Sequence, residues 1–367
     1  MGLTCGIVGL PNVGKSTLFS AISSNKAEAA NYPFCTIEPN VGVVTVPDER
    51  LDVLAELVKP QRILPTVIEF TDIAGLVKGA STGAGLGNKF LANIREVDAI
   101  IHVVRCFEDE NIVHVEGRVN PISDKEIIDM ELQLKDLDSV EKKIAKSERA
   151  AKAGDAKAKM EVQALQQFKV ALEAGKSART VVLDEELRKN AIGDLFLLTD
   201  KPVIYVANVD EASVSKGGNQ FVDQLRECVK EENAEVIVVC ASLEAQIAEM
   251  EDPEDRQMFL EEYGLTESGL SKLIKSSYSL LNLITYFTAG VQEVRAWTIQ
   301  KGWKAPQAAG VIHSDFERGF IRAEVIKYND YQTYKTELAC KEAGKMSVEG
   351  KDYVVIDGDI MHFRFNV

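Results

Sequence analysis

The sequence is poor in residues that build covalent or metal cross-links. It has six cysteines without a Cys-x-x-Cys pair and four dispersed histidines. Cysteines in this arrangement predict reduced thiols rather than disulfides or zinc ligands, and the dispersed histidines argue against a transition-metal site.

Long apolar runs are also missing. No stretch of about 18 apolar residues is present, which argues against a membrane-spanning helix. The N-terminal residues read as a strand, without the basic segment and cleavage site of a signal peptide. We therefore expect a cytoplasmic protein with no membrane partner. The net charge of -15 argues against a surface that binds nucleic acid over its whole area, but it is compatible with a local basic patch.

Residues 9–17 match the pattern Gly-x-x-x-x-Gly-Lys-Ser, between an apolar strand-like run and a helix-like run. Glycines in this pattern let backbone amides face a phosphate, and the helix N-terminus adds its dipole. Lys15 would reach the outer phosphates as a catalytic group, and Ser16 would offer a hydroxyl to magnesium. The alternative is a glycine-rich structural turn. The predicted nucleotide-binding residues here are Asn12, Val13, Gly14, Lys15, Ser16 and Thr17.

A second motif follows the strand-like run that begins at Val67 and ends in Asp72-Ile73-Ala74-Gly75. Asp-x-x-Gly alone is equally typical of a plain turn. When it follows a phosphate-binding loop (P-loop), such as residues 9–17, it indicates a nucleotide switch. In such a switch Asp72 supports magnesium through water and Gly75 senses the terminal phosphate. The next residue is Leu76, where many such enzymes have a water-orienting glutamine. Hydrolysis must therefore use another group or be slow.

The segment Asn31 to Asn40, between the two motifs, has neither helix nor strand periodicity. A first switch is expected here, and Thr36 is the candidate for the second hydroxyl on magnesium. The alternative is an ordinary loop in which this threonine caps a local turn.

Continuously apolar runs at 100–104, 203–207 and 236–240 predict buried parallel strands of a doubly wound sheet. Asn208-Val209-Asp210-Glu211 follows the second run, where guanine-specific proteins carry Asn-Lys-x-Asp. Glu211 is one methylene longer than aspartate, which disturbs a two-point contact with guanine. Asn208, Val209 and Glu211 therefore predict a base site that prefers ATP over GTP.

Two stretches with helical spacing of apolar residues flank Gly154 and predict an inserted antiparallel hairpin. Residues 142–179 contain ten Lys or Arg against four Asp or Glu. This charge suggests contact with the phosphate backbone of RNA. A solvated, lysine-rich helical surface remains equally compatible, because the one aromatic residue of this range, Phe168, belongs to the apolar spacing and is not interleaved with the charges.

Short alternating runs after residue 280 predict a small β-rich domain. The predicted organisation is a nucleotide-binding domain of residues 1–125 and 195–280, a helical hairpin of residues 126–194, and a C-terminal interaction domain of residues 281–367.

The P-loop with Asn12, the segment 32–36, the segment 72–76 with its glycine-rich continuation, and residues 208–211 together resemble the YchF group of Obg-like ATPases. The resemblance covers essentially the whole chain. It implies an α/β fold: a P-loop G domain with an inserted helical hairpin and a ubiquitin-like β-grasp (TGS) domain at the C-terminus. It also implies magnesium and potassium as cofactors, and a catalytic histidine on a mobile loop that matches His114. From the residues alone, a histidine flanked by valines is more often a packed or partly exposed side chain.

We therefore predict a magnesium-dependent ATPase that acts as a switch on the ribosome or its large subunit. One alternative is a GTP-specific ribosome assembly factor in which Glu211 substitutes for aspartate. Another is a nucleotide-gated RNA- or ribosome-binding protein whose turnover is incidental.

Overall fold

The computed structural model describes residues 3–24, 40–73 and 86–366. The chain divides into two compact units, each built from two segments. One unit comprises residues 1–44 and 69–273, and the other comprises residues 45–68 and 274–367.

The strands of the described residues belong to two sheets. In chain order they are β1 (Thr4–Val8), β2 (Val41–Thr45), β3 (Arg62–Leu64), β4 (Val67–Asp72), β5 (Ala99–Arg105), β6 (Val203–Asn208), β7 (Glu235–Val239), β8 (Leu283–Ala289), β9 (Glu293–Gln300), β10 (Phe320–Lys327), β11 (Met346–Glu349) and β12 (Asp359–Phe365).

The α-helices of the same residues, also in chain order, are α1 (Lys15–Ser24), α2 (Glu49–Val58), α3 (Leu86–Glu96), α4 (Pro121–Lys152), α5 (Ala156–Glu173), α6 (Glu185–Ile192), α7 (Glu211–Val214), α8 (Gln220–Cys228), α9 (Ala241–Glu249), α10 (Pro253–Glu262), α11 (Gly269–Leu280), α12 (Ala305–Ile312), α13 (Ser314–Arg318), α14 (Tyr328–Tyr334) and α15 (Glu337–Glu342).

The first sheet has the strand order β2-β4-β1-β5-β6-β7. Strand β1 pairs in parallel with β4 and β5, and β5, β6 and β7 continue the parallel ladder. Every residue of β5 and β6 is buried, as expected for strands covered on both faces. The predicted doubly wound sheet is confirmed. Because the strands are parallel, the segments after β1, β4, β5, β6 and β7 emerge at one edge of the sheet.

Helices α4 and α5 form the predicted antiparallel hairpin, and Gly154 lies between them with a φ of 101°. Its apolar seam joins residues of both helices, including Val140, Leu165 and Phe168, which are fully buried. Helix α4 begins at Pro121, capped by Asn120, and not near residue 126. Proline suits the first helical position because its missing N–H needs no partner there.

A buried group of charges fastens the base of the hairpin to the sheet. Lys125 Nζ lies 2.5 Å from Asp129 and 2.6 Å from Glu232. Glu232 also accepts hydrogen bonds from Arg179 at 2.8 Å and from the Tyr205 hydroxyl at 2.9 Å. Since Lys125 and Arg179 lie at either end of the hairpin and Tyr205 lies on β6, one carboxylate ties both ends of the hairpin to the sheet.

The second unit contains a mixed sheet of order β11-β10-β12-β8-β9-β3. Strands β8 and β9 form an antiparallel hairpin, and β3 joins β9 in parallel. The predicted domain boundary at residue 281 did not include β3 or α2, yet both belong to this unit. Residues 353–365 are one of the alternating runs that predict the β-rich domain, and they form a strand only from Asp359 onward.

None of the helices in residues 3–24, 40–73 and 86–366 could cross a membrane. Five of the six cysteines lie in these ranges, and none of the five forms a disulfide there. Cys35 lies outside them.

Candidate nucleotide site

The P-loop lies between β1 and α1, and two of its glycines are required by their surroundings. A Cβ at Gly14 would collide with the Asn208 side chain, and the φ of Gly14 is 94°. A Cβ at Gly9 would approach the Val103 carbonyl oxygen at 2.7 Å. Both positions therefore require glycine, because an added side chain has no room, and at Gly14 the positive φ also disfavours any other residue.

Lys15 and Asp72 meet at the carboxyl ends of the neighbouring strands β1 and β4. Their side chains form an ion pair in which Lys15 Nζ lies 2.5 Å from Asp72 Oδ1. Both side chains are largely shielded from solvent, at 10% and 21% exposed. The two motifs predicted from separate parts of the sequence thus converge at one point.

Asn208 clamps two segments that border the site. Its side-chain amide donates to the Val13 carbonyl at 2.8 Å, and its side-chain oxygen accepts from the Ala241 amide at 3.0 Å. The residue is 4% exposed, so both bonds are shielded from water. Asn208 therefore fixes the P-loop against the start of α9.

A depression of about 600 Å³ lies beside the P-loop. Six predicted residues line it: Asn12, Gly14, Thr17, Asn208, Val209 and Glu211. The sequence interpretation missed the remaining wall, which comes from the segments after β5 and β7 and includes Phe107, Ile112 and Ser242. The sequence could have indicated these residues through their position directly after parallel strands, because such segments lie together at one edge of the sheet.

Glu211 begins α7 as an exposed residue at this depression. The neighbouring Asp210 uses its carboxylate to accept from the Ser213 amide at 2.8 Å and so caps the helix. Val209 is 2% exposed. Within the described residues, Glu211 accepts only a long hydrogen bond, from the Tyr263 hydroxyl at 3.5 Å, so its carboxylate is the one in this motif that a base could engage.

The segment after β5 is held by Arg105, which is 1% exposed. Its guanidinium donates to the carbonyls of Phe107, Asp109 and Ile112 at 3.1, 3.2 and 2.9 Å. Asn12 donates from the P-loop to the Val113 carbonyl at 3.1 Å. The P-loop therefore contacts the segment immediately before His114.

His114 is buried and does not line the depression. Its Nε2 lies 2.9 Å from Asp124 Oδ2, and its Nδ1 accepts from the Glu116 amide at 3.2 Å. Because Nδ1 accepts a hydrogen bond, Nε2 is the ring nitrogen that donates to Asp124. Burial raises the pKa of Asp124, against the lowering effect of the hydrogen bond from His114. The other oxygen of Asp124 has no hydrogen-bond partner in the part of the chain that the structure describes.

Ser16 is exposed at the start of α1, next to Lys15. Thr36, Gly75 and Leu76 lie outside the described residues. The structure thus brings Lys15 and Asp72 together, with Ser16 adjacent in the chain, and leaves His114 in a separate contact with Asp124.

Two family models match the chain. MMR_HSR1, described as a 50S ribosome-binding GTPase, matches residues 4–147, and YchF-GTPase_C, described as a protein of unknown function (DUF933), matches residues 283–366. A solved structure of the YchF GTPase of Schizosaccharomyces pombe is similar with a TM-score of 0.89 and 42% identity, covering 99% of this chain and 98% of that one. A GTP-binding protein from Pyrococcus horikoshii, with a TM-score of 0.56 and 18% identity, shares the fold.

Full-length relatives are more similar still. The protein named ribosome-binding ATPase YchF is 60% identical in Bacillus subtilis and 58% identical in Escherichia coli O157:H7, with 100% of both chains covered in each case. Identity at this level over the full length, together with the P-loop, the clamp by Asn208 and the C-terminal match, shows that the chain belongs to the YchF family.

Proposed function

We propose that this protein is a magnesium-dependent ATPase that binds ribosomes and changes its contact with them according to its bound nucleotide. The observation that carries the proposal is the convergence of Lys15 and Asp72 beside a P-loop and a depression of about 600 Å³. The names of the full-length relatives support both ATP hydrolysis and ribosome binding. A protein that binds ribosomes would act in the cytoplasm, as expected from the sequence.

Magnesium fits the oxygen donors at this site. Ser16 and Asp72 would hold the ion, with Thr36 as the further hydroxyl, and magnesium prefers few protein ligands besides phosphate oxygens and water. When bound, the ion neutralises charge on the β and γ phosphates. Potassium, the second ion implied by the family resemblance, would find an oxygen donor in the side-chain amide of Asn12.

Lys15 supplies positive charge to the outer phosphates, and its ion pair with Asp72 keeps the ammonium directed to that place. Asn12 to Thr17 offer backbone amides and hydroxyls to the phosphate chain. Asn208, Val209 and Glu211 border the depression in which we propose the adenine binds. His114 is our candidate for orienting the attacking water, and this role requires that it leave its contact with Asp124.

The test is nucleotide binding and phosphate release by the purified chain, with and without ribosomes. Fluorescent ATP and GTP analogues, each displaced by both unlabelled nucleotides, should show ATP binding tighter by about tenfold, or about 1.4 kcal/mol. Lys15→Ala should lose nucleotide binding, whereas Lys189→Ala, which removes an exposed lysine of the same unit, should retain it. Tighter binding of GTP would reject ATP as the substrate.

A further inference from the structure

A second depression, of about 640 Å³, lies in the first unit and shares no residue with the nucleotide site. It is bordered by α3, by the face of α4 that carries residues 139–147, and by the segment between α6 and β6. Four cationic and two acidic side chains line it. We call it the hairpin-base pocket.

The two acidic residues of the hairpin-base pocket share one cation, Lys143. Lys143 is 11% exposed and forms ion pairs with Glu161, at 3.2 Å, and with Asp194. The hydrogen bond from Lys143 lowers the pKa of Asp194 below its ordinary value. Four cations against two carboxylates still leave the pocket with an excess of positive charge. Its exposed cations are Arg95, Lys142 and Lys146.

These three cations are available to a ligand. Lys142 and Lys146 stand one turn apart on α4, so they present their charges on the same face. Lys142 has one partner, the half-exposed Asp138 at 2.7 Å, and exposed pairs of this kind are weak. Arg95 and Lys146 form no ion pair with any residue in the described ranges. Phosphate groups could therefore bind these cations without first breaking a strong ion pair.

Phe196 adds an exposed aromatic ring to the same pocket. It is 64% exposed, although its neighbour Leu197 is 3% exposed and packs in the core of the hairpin. Its φ is 48°, a left-handed conformation that is an outlier for a bulky residue. This conformation turns the ring outward while the adjacent leucines pack inward. Asparagine or glycine would adopt this conformation with less strain. A phenylalanine at this position therefore lowers the stability of the fold relative to those residues.

We propose that the hairpin-base pocket binds an unpaired nucleotide of RNA, with its base stacked on Phe196 and its flanking phosphates on Lys142, Lys146 and Arg95. An exposed aromatic beside cations is the arrangement by which proteins bind single-stranded nucleic acid. A duplex keeps its bases stacked internally and could use only the cations. The inference rests on the proposed ribosome binding, since ribosomal RNA would supply the unpaired nucleotide.

The experiment uses the full chain and a single-stranded oligouridine that contains one 2-aminopurine, whose fluorescence is quenched by stacking. Wild-type protein should bind it with quenching, and Phe196→Asn should bind at least about fivefold more weakly without quenching, because stacking contributes that much per base. Phe196→Asn should melt no earlier than wild type, because asparagine tolerates the left-handed conformation. Phe196→Tyr should retain both binding and quenching. Val182→Asn, at a residue 90% exposed outside the pocket, is the matched control.

The salt dependence separates the two kinds of contact. Lys146→Gln should reduce the slope of log affinity against log salt concentration by about 0.7, the value for one phosphate contact on a single strand. Phe196→Asn should leave that slope unchanged. Equal binding and quenching by wild type and Phe196→Asn would overturn the proposal. Displacement of the probe by oligoglutamate, with no effect of Phe196→Asn, would instead identify a site for an acidic protein segment.

Co-sedimentation with ribosomes and phosphate release, measured on the same preparations, test the proposed function separately. A wild type that hydrolyses ATP and sediments with ribosomes but fails to quench the probe would reject the pocket alone. A wild type that neither sediments nor hydrolyses ATP would reject the proposed function, whatever the probe shows.

Discussion

At the scale of single residues, His114 must move to take its proposed role. It would orient the attacking water, yet in the structure it contacts Asp124 outside the nucleotide depression. Its contact with Asp124 holds the ring in one tautomer and outside the depression beside the P-loop. A hydrogen bond to a charged group is worth about 1.5–3 kcal/mol. If His114 orients the attacking water, breaking this bond is part of the barrier to hydrolysis.

We therefore expect Asp124→Ala to raise ATP turnover in the absence of ribosomes by about tenfold, which corresponds to about 1.4 kcal/mol of barrier. His114→Ala should lose turnover and keep nucleotide affinity. Steady-state phosphate release and nucleotide titration measure the two quantities. The double variant should behave as His114→Ala does, and a raised turnover in the double variant would show that Asp124 acts through another group.

A second residue-scale prediction concerns Glu211. Shortening this side chain to aspartate restores the length found in guanine-specific motifs, so Glu211→Asp should strengthen GTP binding relative to ATP binding. A single good polar contact to a base is worth about 1 kcal/mol, or roughly fivefold. Competition between the two nucleotides for one fluorescent analogue measures the ratio. An unchanged ratio would mean that backbone groups, not Glu211, select the base.

At the scale of elements, the attachment of the hairpin depends on Glu232. Burial opposes its ionisation, but the charges of Arg179 and Lys125 hold the pKa of Glu232 below its ordinary value. Removing the charge leaves Arg179 without its carboxylate partner and Lys125 with Asp129 alone. Glu232→Gln should therefore lower the free energy of unfolding by about 3 kcal/mol, as when one member of a buried ion pair is removed.

Urea unfolding near neutral pH measures this loss, and Glu231→Gln is the matched control. Glu231 is 82% exposed, and its contact with Lys176 is 3.2 Å long, so its loss should cost less than about 0.5 kcal/mol. Because the folded pKa of Glu232 is depressed, its contribution is present above its ordinary pKa of about 4.3 and is lost as the pH falls further. The stabilities of wild type and Glu232→Gln should thus converge in acid, and a constant difference would contradict the charge argument.

Motifs that are local in sequence were sufficient to predict the P-loop, Asp72, Asn208 and the hairpin. Each depends on residue types at fixed spacing. The structure places Lys15 beside Asp72, Asn208 against the P-loop and the hairpin tip at Gly154. The contacts of these side chains with a nucleotide stay predictions. Phe107 and Ser242 were missed because they reach the nucleotide depression only through the order of strands in the sheet. Likewise, the charge pattern of residues 142–179 could not include Phe196, because this residue follows the hairpin in sequence and reaches the basic face only in the fold.

At the scale of the whole molecule, the unit that contains the C-terminus is built from two separate segments of the chain, residues 45–68 and 274–367. Leu51 and Leu54 of α2 are buried in a core with Phe287, Val294 and Ile326, and β3 pairs with β9. The periodicity of residues 281–367 could not reveal this, because pairing between distant segments leaves no local signal. Residues 45–68 therefore supply part of the core of this unit.

Cutting the chain at residue 281 should consequently give a fragment that does not fold cooperatively. Loss of a buried leucine side chain costs about 2–5 kcal/mol, and residues 281–367 alone lack both leucines of α2. A fusion of residues 45–68 to residues 274–367 through a Gly/Ser linker should melt cooperatively when followed by circular dichroism. The same fusion with Leu51→Asp and Leu54→Asp should not. Cooperative melting of residues 281–367 at the temperature of the fusion would show that α2 and β3 only cover a core that is complete without them.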